Sequence, residues 1–322
     1  MLGVTTVKEF LESAIQCPKC YEKNLLIQRQ NIQCHNCHSE FPIVNNKPVL
    51  IRPDNEIFSP SFYTNRVTNH GSKEKNIFSK IVPSPSINLI YIERIQNFAQ
   101  TLEKFTLAYV LVVGAGKQKR DLDRLMSEHS NIKLIYSDVD VNADVDLFCD
   151  AHDLPFQDQV FHGIITTAVL EHVLYPEKVV SEMHRVLKDG GVIYSEIPFM
   201  QQVHEGAYDF TRYTLSGHRR LFNYFSEISS GLVAGPGTVL VWSIEHFALC
   251  FAGNNTSRLL TKAMVRLLFS WLKYFDYLFK NNPQALDGAS CTYFLGKKSP
   301  EKVVSDQMII ERYKGANNLR HT

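Results

Sequence analysis

The sequence predicts an α/β protein built on a doubly wound, mostly parallel sheet, and two observations carry that prediction. Apolar runs suited to buried strands alternate with helical stretches between residues 109 and 197, which is the rhythm of a parallel sheet. The first run, 109–113, leads directly into Gly114, Ala115 and Gly116 and then into a helical stretch at 121–129. A strand, a tight turn and a helix in this order commonly open such a sheet.

The composition is that of an ordinary globular protein with room for one large domain or two smaller ones. Its 322 residues include 34 basic and 33 acidic side chains, and the net charge of +1 predicts no global attraction to nucleic acid or to anionic lipid. Residues 1–15 lack the apolar core of a secretory signal, and no run of about 18 apolar residues is present. These features, with the cysteine pairs described next, predict a cytoplasmic protein.

Two Cys-x-x-Cys pairs lie near the N-terminus, Cys17 with Cys20 and Cys34 with Cys37. Four thiolates on two such knuckles can close a tetrahedral shell around Zn²⁺, and a closed shell is structural. The metal would supply folding free energy that a core this small cannot. We therefore predict a zinc-ribbon module over residues 1–52, with free buried or redox-active cysteines as the alternative.

The chain between this module and the sheet looks like a connection. Residues 53–88 contain four prolines and many Ser and Asn residues, which predicts a linker that crosses the face of the main domain. A helix is predicted over 87–107, where apolar residues fall on one side. We expect the main domain to occupy residues 89–300, and the tail at 301–322 has no assignment.

Glycines and acids mark the carboxyl ends of the first strands. Gly114 and Gly116 allow a ligand to approach the backbone closely. The second predicted strand, 131–137, ends at Asp138, where a cofactor's ribose hydroxyls would be held. Asp140 is a near competitor, and a solvated turn is the plain alternative for these acids.

A third short strand, 145–149, ends at Asp150 and is followed by Ala151. A carboxylate there can accept a hydrogen bond from the exocyclic amino group of adenine, and the Leu-Pro-Phe at 154–156 can wall a flat heterocycle. The fourth predicted strand runs into Glu171 and His172, for which a role in fixing the turn is slightly favoured.

Three motifs in this region, taken together, resemble those of one enzyme family. Asp-Ala-x-x-Leu-Pro-Phe at 150–156, Leu-Glu-His-Val at 170–173 and Arg-Val-Leu-Lys-x-Gly-Gly at 185–191 stand in order. They resemble the class I S-adenosylmethionine-dependent methyltransferases of the Methyltransferase_11 type, across roughly residues 105–230. The resemblance implies a Rossmann-like fold and S-adenosylmethionine as cofactor. It also implies a role for each predicted site residue: Gly114, Ala115 and Gly116 pass under the methionine moiety, Asp138 holds the ribose, and Asp150 with Ala151 meets adenine.

The glycine-rich loop departs from the family's pattern at one position, and the N-terminal module has a resemblance of its own. The third position of the family's glycine-rich loop is Gln118 here. The N-terminal module is similar to Trm112-like zinc ribbons, which continue as Phe-Pro-Ile-Val at 41–44 and Pro-Val-Leu at 48–50. Chains that join such a ribbon to such a methyltransferase look like those in bacterial surface-glycan gene sets.

The segment 198–213 follows the fifth predicted strand and is the expected acceptor wall, because open α/β sheets bind ligands at that edge. Methyl transfer depends mainly on holding the acceptor in line. An alcohol oxygen still needs to lose its proton. His204 is the candidate base, and Asp209 can orient it or bind a hydroxyl. Arg212 can hold an anionic acceptor or pair with Asp209. Equally, these residues can cap and pin the helix that follows Thr214.

The C-terminal third is less informative. A sixth strand is predicted within 231–241 and a returning strand at 289–296, with a helical insertion at about 242–285 between them. The insertion contains a cationic amphipathic helix at 259–280. Such a helix can make a peripheral contact with a membrane, or it can cover the catalytic domain or a second subunit.

The sequence therefore predicts an S-adenosylmethionine-dependent methyltransferase that acts on a small or glycan-linked acceptor at oxygen. No nucleic-acid partner is expected, and the oligomeric state is not predicted. One alternative is a scaffold protein with a vestigial pocket. The other is a nicotinamide enzyme, although Lys119 stands where its fingerprint has a third glycine.

Overall fold

The structure is a computed structural model that describes residues 6–66, 82–116, 119–299, 301 and 304–316. The predicted loop position Gln118 lies outside the described residues. Helices and strands are numbered below in chain order.

The N-terminal module is a short helix followed by a small antiparallel sheet. Thr6 and Glu9 form a capping box at the start of the helix. The second of the sheet's four strands ends at Cys34, a cysteine of the predicted metal site. The elements are α1 (Val7–Ala14), β1 (Leu25–Ile27), β2 (Asn31–Cys34), β3 (Glu40–Val44) and β4 (Lys47–Pro48).

Seven strands form the main sheet. They are β5 (Ala108–Val113), β6 (Ile132–Asp138), β7 (Leu147–Phe148), β8 (Phe161–Thr167), β9 (Leu187–Pro198), β10 (Phe225–Ala234) and β11 (Cys291–Lys298). Their order is β10-β11-β9-β8-β5-β6-β7. The pairs from β9 to β7 are parallel, whereas β11 lies antiparallel between β9 and β10. The prediction of a doubly wound, mostly parallel sheet is confirmed.

Helices cover both faces of this sheet. On one face, α3 (Tyr91–Leu102) and α4 (Lys119–Met126) bury side chains against Val110 and Val112. On the other face, α5 (Pro176–Val186) packs in the cluster that contains Leu111. Alternate residues of β5 thus enter two separate apolar layers, which explains its continuous apolar sequence. Helix α2 (Pro60–Arg66) lies in the segment that was predicted to be a linker.

The N-terminal module packs on the main sheet. Phe10 stacks on Tyr109 with ring centroids 3.6 Å apart. The Leu50 N–H donates to the carbonyl of Phe148 at 2.8 Å, and Val49 forms a parallel bridge with the same residue. These contacts cover the exposed hydrogen-bonding groups of the edge strand β7.

The C-terminal region corrects one prediction and refines another. The strand predicted within 231–241 was wrong in its second half, because β10 ends at Ala234 and Pro236 begins a helix. The helix predicted at 259–280 changes to a 3₁₀ helix at Ser270–Phe275. The remaining elements are α6 (Leu215–Leu221), α7 (Pro236–Leu249), α8 (Asn255–Phe269), α9 (Asp276–Phe279), α10 (Pro283–Asp287) and α11 (Asp306–Glu311).

Helix α3 packs closely over Gly163 of β8. A Cβ atom on Gly163 would lie 2.6 Å from Phe98 Cζ, so we expect Gly163→Ala to destabilise the fold by about 1–3 kcal/mol through overpacking. No atom lies within 4 Å of the corresponding position on Gly253, which makes Gly253→Ala the matched control. Urea unfolding measures both variants, and equal stabilities would contradict this packing.

Candidate functional site

The glycine turn after β5 has two glycines with different roles. Gly114 has φ of +68° and Gly116 has φ of +47°, both in the left-handed region that favours glycine. A Cβ on Gly114 would lie 2.3 Å from Val169 Cγ2, whereas a Cβ on Gly116 would come no closer than 3.9 Å, to the Gly114 oxygen, among the described residues other than its chain neighbours. Packing therefore requires the first glycine, and the second leaves open space over the turn for a ligand.

Asp138, at the end of β6, holds this turn in place. One carboxylate oxygen accepts from the Gly116 N–H at 2.8 Å and the other from the Asp140 N–H at 2.9 Å. Burial raises the pKa of Asp138, although both N–H groups act to lower it. The competitor Asp140 is exposed and accepts from Asn142 in the next turn. Asp138 is thus the acid that lies against the glycine turn.

Asp150 follows β7 at the same carboxyl edge of the sheet as Asp138. The two strand ends are joined there by a hydrogen bond from the Cys149 N–H to the Asp138 carbonyl at 3.1 Å. Its carboxylate accepts from His152 Nδ1 at 2.6 Å and from Asn55 Nδ2 at 2.7 Å. Burial acts to raise the pKa of Asp150, but the His152 and Asn55 hydrogen bonds outweigh it and lower the pKa. Ala151 is buried and begins a 3₁₀ helix capped by Asp150.

The segment predicted as a linker crosses this edge and contributes to the site. Besides Asn55, Phe58 stacks on Tyr208 with centroids 6.4 Å apart, and the Tyr63 hydroxyl donates to the Val139 carbonyl at 2.6 Å. Sequence reasoning missed these residues, since no periodicity or motif marks them. The segment covers the rim where the predicted nucleoside would lie.

Asp209 and Arg212, predicted at the acceptor wall, pair with each other. Arg212 binds both oxygens of the Asp209 carboxylate, and Arg212 Nε also donates to the Gln201 carbonyl at 2.9 Å. Burial acts to raise the pKa of Asp209, but Arg212 outweighs it and lowers the pKa. Asp209 accepts from the backbone N–H of His204 at 2.9 Å. The pair therefore fixes the loop that carries His204, and Thr214 caps α6.

Three side chains converge beside that loop. His172 Nε2 and His204 Nε2 lie 3.1 Å apart, and Glu171 Oε1 lies 3.6 Å from the first and 4.0 Å from the second. The Glu171 side chain is fully buried, and neither of its oxygens has a hydrogen-bond partner among the described residues. Burial raises the pKa of Glu171 to about 8. The Glu171 carbonyl also accepts from Phe210, so the predicted turn-fixing role belongs to its backbone.

Sequence reasoning missed this convergence. The available signal was the position of the Leu-Glu-His motif at the end of β8 and of His204 after β9, because the ends of neighbouring parallel strands meet at one edge.

The four predicted metal ligands form a compact cluster. Their sulfur atoms lie within 4.8 Å of one another, with Cys17 to Cys37 at 3.6 Å and Cys20 to Cys34 at 3.5 Å. Sulfur atoms on a tetrahedral Zn²⁺ with bonds of about 2.3 Å lie about 3.8 Å apart. This donor set therefore fits a structural zinc ion, and the cluster contains no histidine among the described residues.

A comparison with protein families decides between the classes of function left open by the sequence. Residues 118–195 match Methyltransf_11, a methyltransferase domain. The matched segment begins after the glycine turn, ends in β9 and contains Asp138, Asp150 and Glu171. The protein is a S-adenosylmethionine-dependent methyltransferase. The match favours this class of enzyme over a nicotinamide enzyme.

Solved structures of methyltransferases are similar to this chain at low identity. A proposed sarcosine dimethylglycine methyltransferase of Galdieria sulphuraria is 15% identical with a TM-score of 0.42, covering 66% of this chain and 86% of its own. An Archaeoglobus fulgidus S-adenosylmethionine-dependent methyltransferase is 14% identical with a TM-score of 0.40, covering 65% and 93%. Haemonchus contortus phosphoethanolamine N-methyltransferase 2, in complex with S-adenosylmethionine, is 15% identical with a TM-score of 0.39, covering 63% and 52%. No curated protein matches the chain.

The two neighbouring acids give a matched pair of variants for cofactor binding. We expect Asp138→Ala to weaken S-adenosylhomocysteine binding about 10- to 100-fold, since a hydrogen bond to a charged group contributes about 1.5–3 kcal/mol. Asp140→Ala, in the exposed turn, should bind as the wild type does. Isothermal titration calorimetry measures both, and a loss confined to Asp140→Ala would move the ribose contact to that residue.

Proposed function

We propose that this methyltransferase transfers the methyl group of S-adenosylmethionine to a hydroxyl oxygen of a small or glycan-linked acceptor. The observation that carries the proposal is the adjacency of two groups of residues at one sheet edge. Gly116, Asp138 and Asp150 line the nucleoside side. His172 and His204 line the other side, and Val169, three residues before His172, packs against the glycine turn.

The residues of the cofactor side fit a cationic nucleoside. Open space over Gly116 leaves room for the methionine moiety, and the two carboxylates are spaced along neighbouring strand ends for ribose and adenine. Asn55 donates to Asp150 with an amide N–H, the kind of donor that an adenine amino group also presents. Bound S-adenosylmethionine supplies an electrophilic methyl carbon.

The histidines support oxygen as the methylated atom. An alcohol oxygen attacks well only after it loses its proton, so it needs help that an amine of low pKa does not. His172 and His204 present ring nitrogens at the surface of the acceptor wall, with side chains 20% and 22% exposed. We propose that these two residues promote loss of the acceptor's proton.

The acceptor class and the role of His204 are tested together. With a panel of hydroxyl, amine and carboxylate acceptors, we expect mass spectrometry to detect methyl transfer to hydroxyl oxygen. His204→Gln should lower turnover about 10²- to 10⁴-fold and leave S-adenosylhomocysteine affinity unchanged. His129 lies just before the start of β6, at the opposite end of the strand from Asp138, and His129→Asn is the control. Transfer to amines alone, or a wild-type rate for His204→Gln, would contradict the proposal.

We also propose that Cys17, Cys20, Cys34 and Cys37 hold a structural Zn²⁺ in a Trm112-like ribbon. The sulfur separations support it, and so does the position of the cluster. Cys17 and Cys34 are fully buried in the apolar layer that continues to Leu111 of the main sheet. The metal would therefore support the docking of the module as well as its fold.

Helices α7 to α9 carry an apolar face, defined by eight side chains that are 56% to 78% exposed: Phe247, Phe251, Leu260, Met264, Leu267, Leu268, Trp271 and Leu278. Single exposed apolar residues are ordinary, but several on helices that pack against one another indicate an interaction surface. Among the described residues, no helix is both long and apolar enough to span a membrane.

The charges around the apolar face support an anionic lipid surface as its partner. Arg258 is exposed and Lys262 half-buried, whereas Asp276, the one acid in 255–280, is buried and accepts from the N–H groups at the start of α7. Cations beside exposed apolar side chains favour anionic headgroups. We propose that the apolar face rests on such a membrane and brings the site close to its acceptor.

Vesicle cosedimentation tests this face. We expect the protein to sediment with vesicles containing phosphatidylglycerol, and less with pure phosphatidylcholine, because anionic headgroups attract Arg258 and Lys262. Leu267→Glu with Leu268→Glu should abolish sedimentation, and Leu26→Glu, an exposed residue of the N-terminal module, is the control. A stable dimer that binds no vesicles and dissociates in the double variant would assign the face to a second subunit instead.

A further inference from the structure

A second group of metal-ligand atoms lies outside the cysteine cluster. The Nε2 atoms of His172 and His204 and the Oε1 atom of Glu171 all fall within 4.8 Å of one another. Glu171 is fully buried, and both of its oxygens lack hydrogen-bond partners among the described residues. A buried carboxyl group without a partner is unfavourable, and in its ionised form it requires a cation beside it.

The hydrogen bonds of the two imidazoles point both free nitrogens at the same place. His172 Nδ1 lies 2.6 Å from the Tyr208 carbonyl, and His204 Nδ1 lies 3.2 Å from the Gln202 carbonyl. Because a carbonyl oxygen only accepts, each Nδ1 carries the proton and each Nε2 is left with a lone pair. Metal-bound histidines in proteins are oriented by the same type of backbone contact.

The spacing of the nitrogens suits one ion. Two nitrogens that lie about 2.0–2.1 Å from the same ion, at an angle of about 100°, are about 3.1 Å apart, and the two Nε2 atoms lie 3.1 Å apart. A proton shared between the rings would also relieve the facing lone pairs, but it would leave Glu171 without a partner. Asp209 is not available as a further ligand, because Arg212 and the His204 N–H hold its oxygens.

We propose that Glu171, His172 and His204 bind a divalent transition-metal ion, with Zn²⁺ as the ion that this donor set suits. Two imidazoles and one carboxylate leave a coordination position open, as in catalytic rather than structural zinc sites. The open position would take the hydroxyl oxygen of the acceptor. This ion is distinct from the structural one held by the four cysteines.

The chemical consequence rests on the proposed O-methyl transfer. A hydroxyl bound to the ion has a lowered pKa and releases its proton to water. The resulting oxygen anion attacks the methyl carbon, the C–O bond forms while the C–S bond breaks, and S-adenosylhomocysteine leaves with a neutral sulfur. The positive charge of the sulfonium is thus balanced by the proton that is released. His204 promotes ionisation as a metal ligand and does not itself accept the proton.

Metal content tests the site directly. The full chain is loaded with a small excess of Zn²⁺, desalted and analysed by inductively coupled plasma mass spectrometry. We expect two zinc ions per wild-type chain and one in Glu171→Gln and in His204→Gln, while His129→Asn keeps two. Cys34→Ser should lose the other ion. One ion in the wild type, removed by Cys34→Ser alone, or two ions retained in both Glu171→Gln and His204→Gln, would overturn the proposal.

A second measurement covers the case in which the buried Glu171→Gln fails to fold. Co²⁺ loaded into the wild type should give weak visible bands of a nitrogen and oxygen site beside the intense bands of thiolate ligation, and thiolate bands alone would overturn the proposal. The failures are distinguishable. If methyl transfer to oxygen persists after this ion is removed, the ion does not activate the acceptor and the proposed function stands. If two ions bind and no hydroxyl is methylated, the proposed function fails alone.

Discussion

The hydrogen bond between the Asp138 carboxylate and the Gly116 N–H is the interaction on which the site depends. It joins the turn after β5 to the end of β6, and the Cys149 N–H then joins that strand end to the start of the Asp150 turn. Parallel strands place their carboxyl ends at one edge, so a contact this local fixes three ligand-facing positions together. The turn can take this path because both Gly114 and Gly116 adopt positive φ.

A loop after β9 lies at the same edge of the sheet, and an ion pair fixes its position. Arg212 and Asp209 pair with each other and hold backbone groups of the 201–204 segment, which brings the His204 ring to Glu171 and His172. The ion pair therefore positions the loop, whereas a different acid, Glu171, is buried without a hydrogen-bond partner among the residues that the structure describes. Polar groups left in this way are concentrated at functional sites. This contrast between a satisfied acid and an unsatisfied acid supports a cation beside the two histidines.

Sequence reasoning succeeded where the relevant contacts are local. The alternation of strands and helices, the glycine turn, the acids at strand ends and the paired cysteines all depend on spacings of a few residues. Asn55 and Tyr63 were missed because their partners, Asp150 and Val139, are 95 and 76 residues away along the chain. The strand predicted within 231–241 was wrong from Pro236 onward, because the apolar residues there belong to the start of a helix. The approach of His204 to Glu171 depends on two strands and a charged loop, which no local pattern encodes.

We propose that one nucleoside touches Gly116, Asp138 and Asp150 while the acceptor faces the histidines. A crystal structure of the protein with S-adenosylhomocysteine tests it most directly. We expect ribose hydroxyls on the Asp138 carboxylate, the adenine beside Asp150 and Ala151, and the sulfur on the side of Glu171, His172 and His204. A nucleoside bound in another cleft, such as the one between α5 and α6 lined by Glu177, His184 and Tyr213, would contradict it.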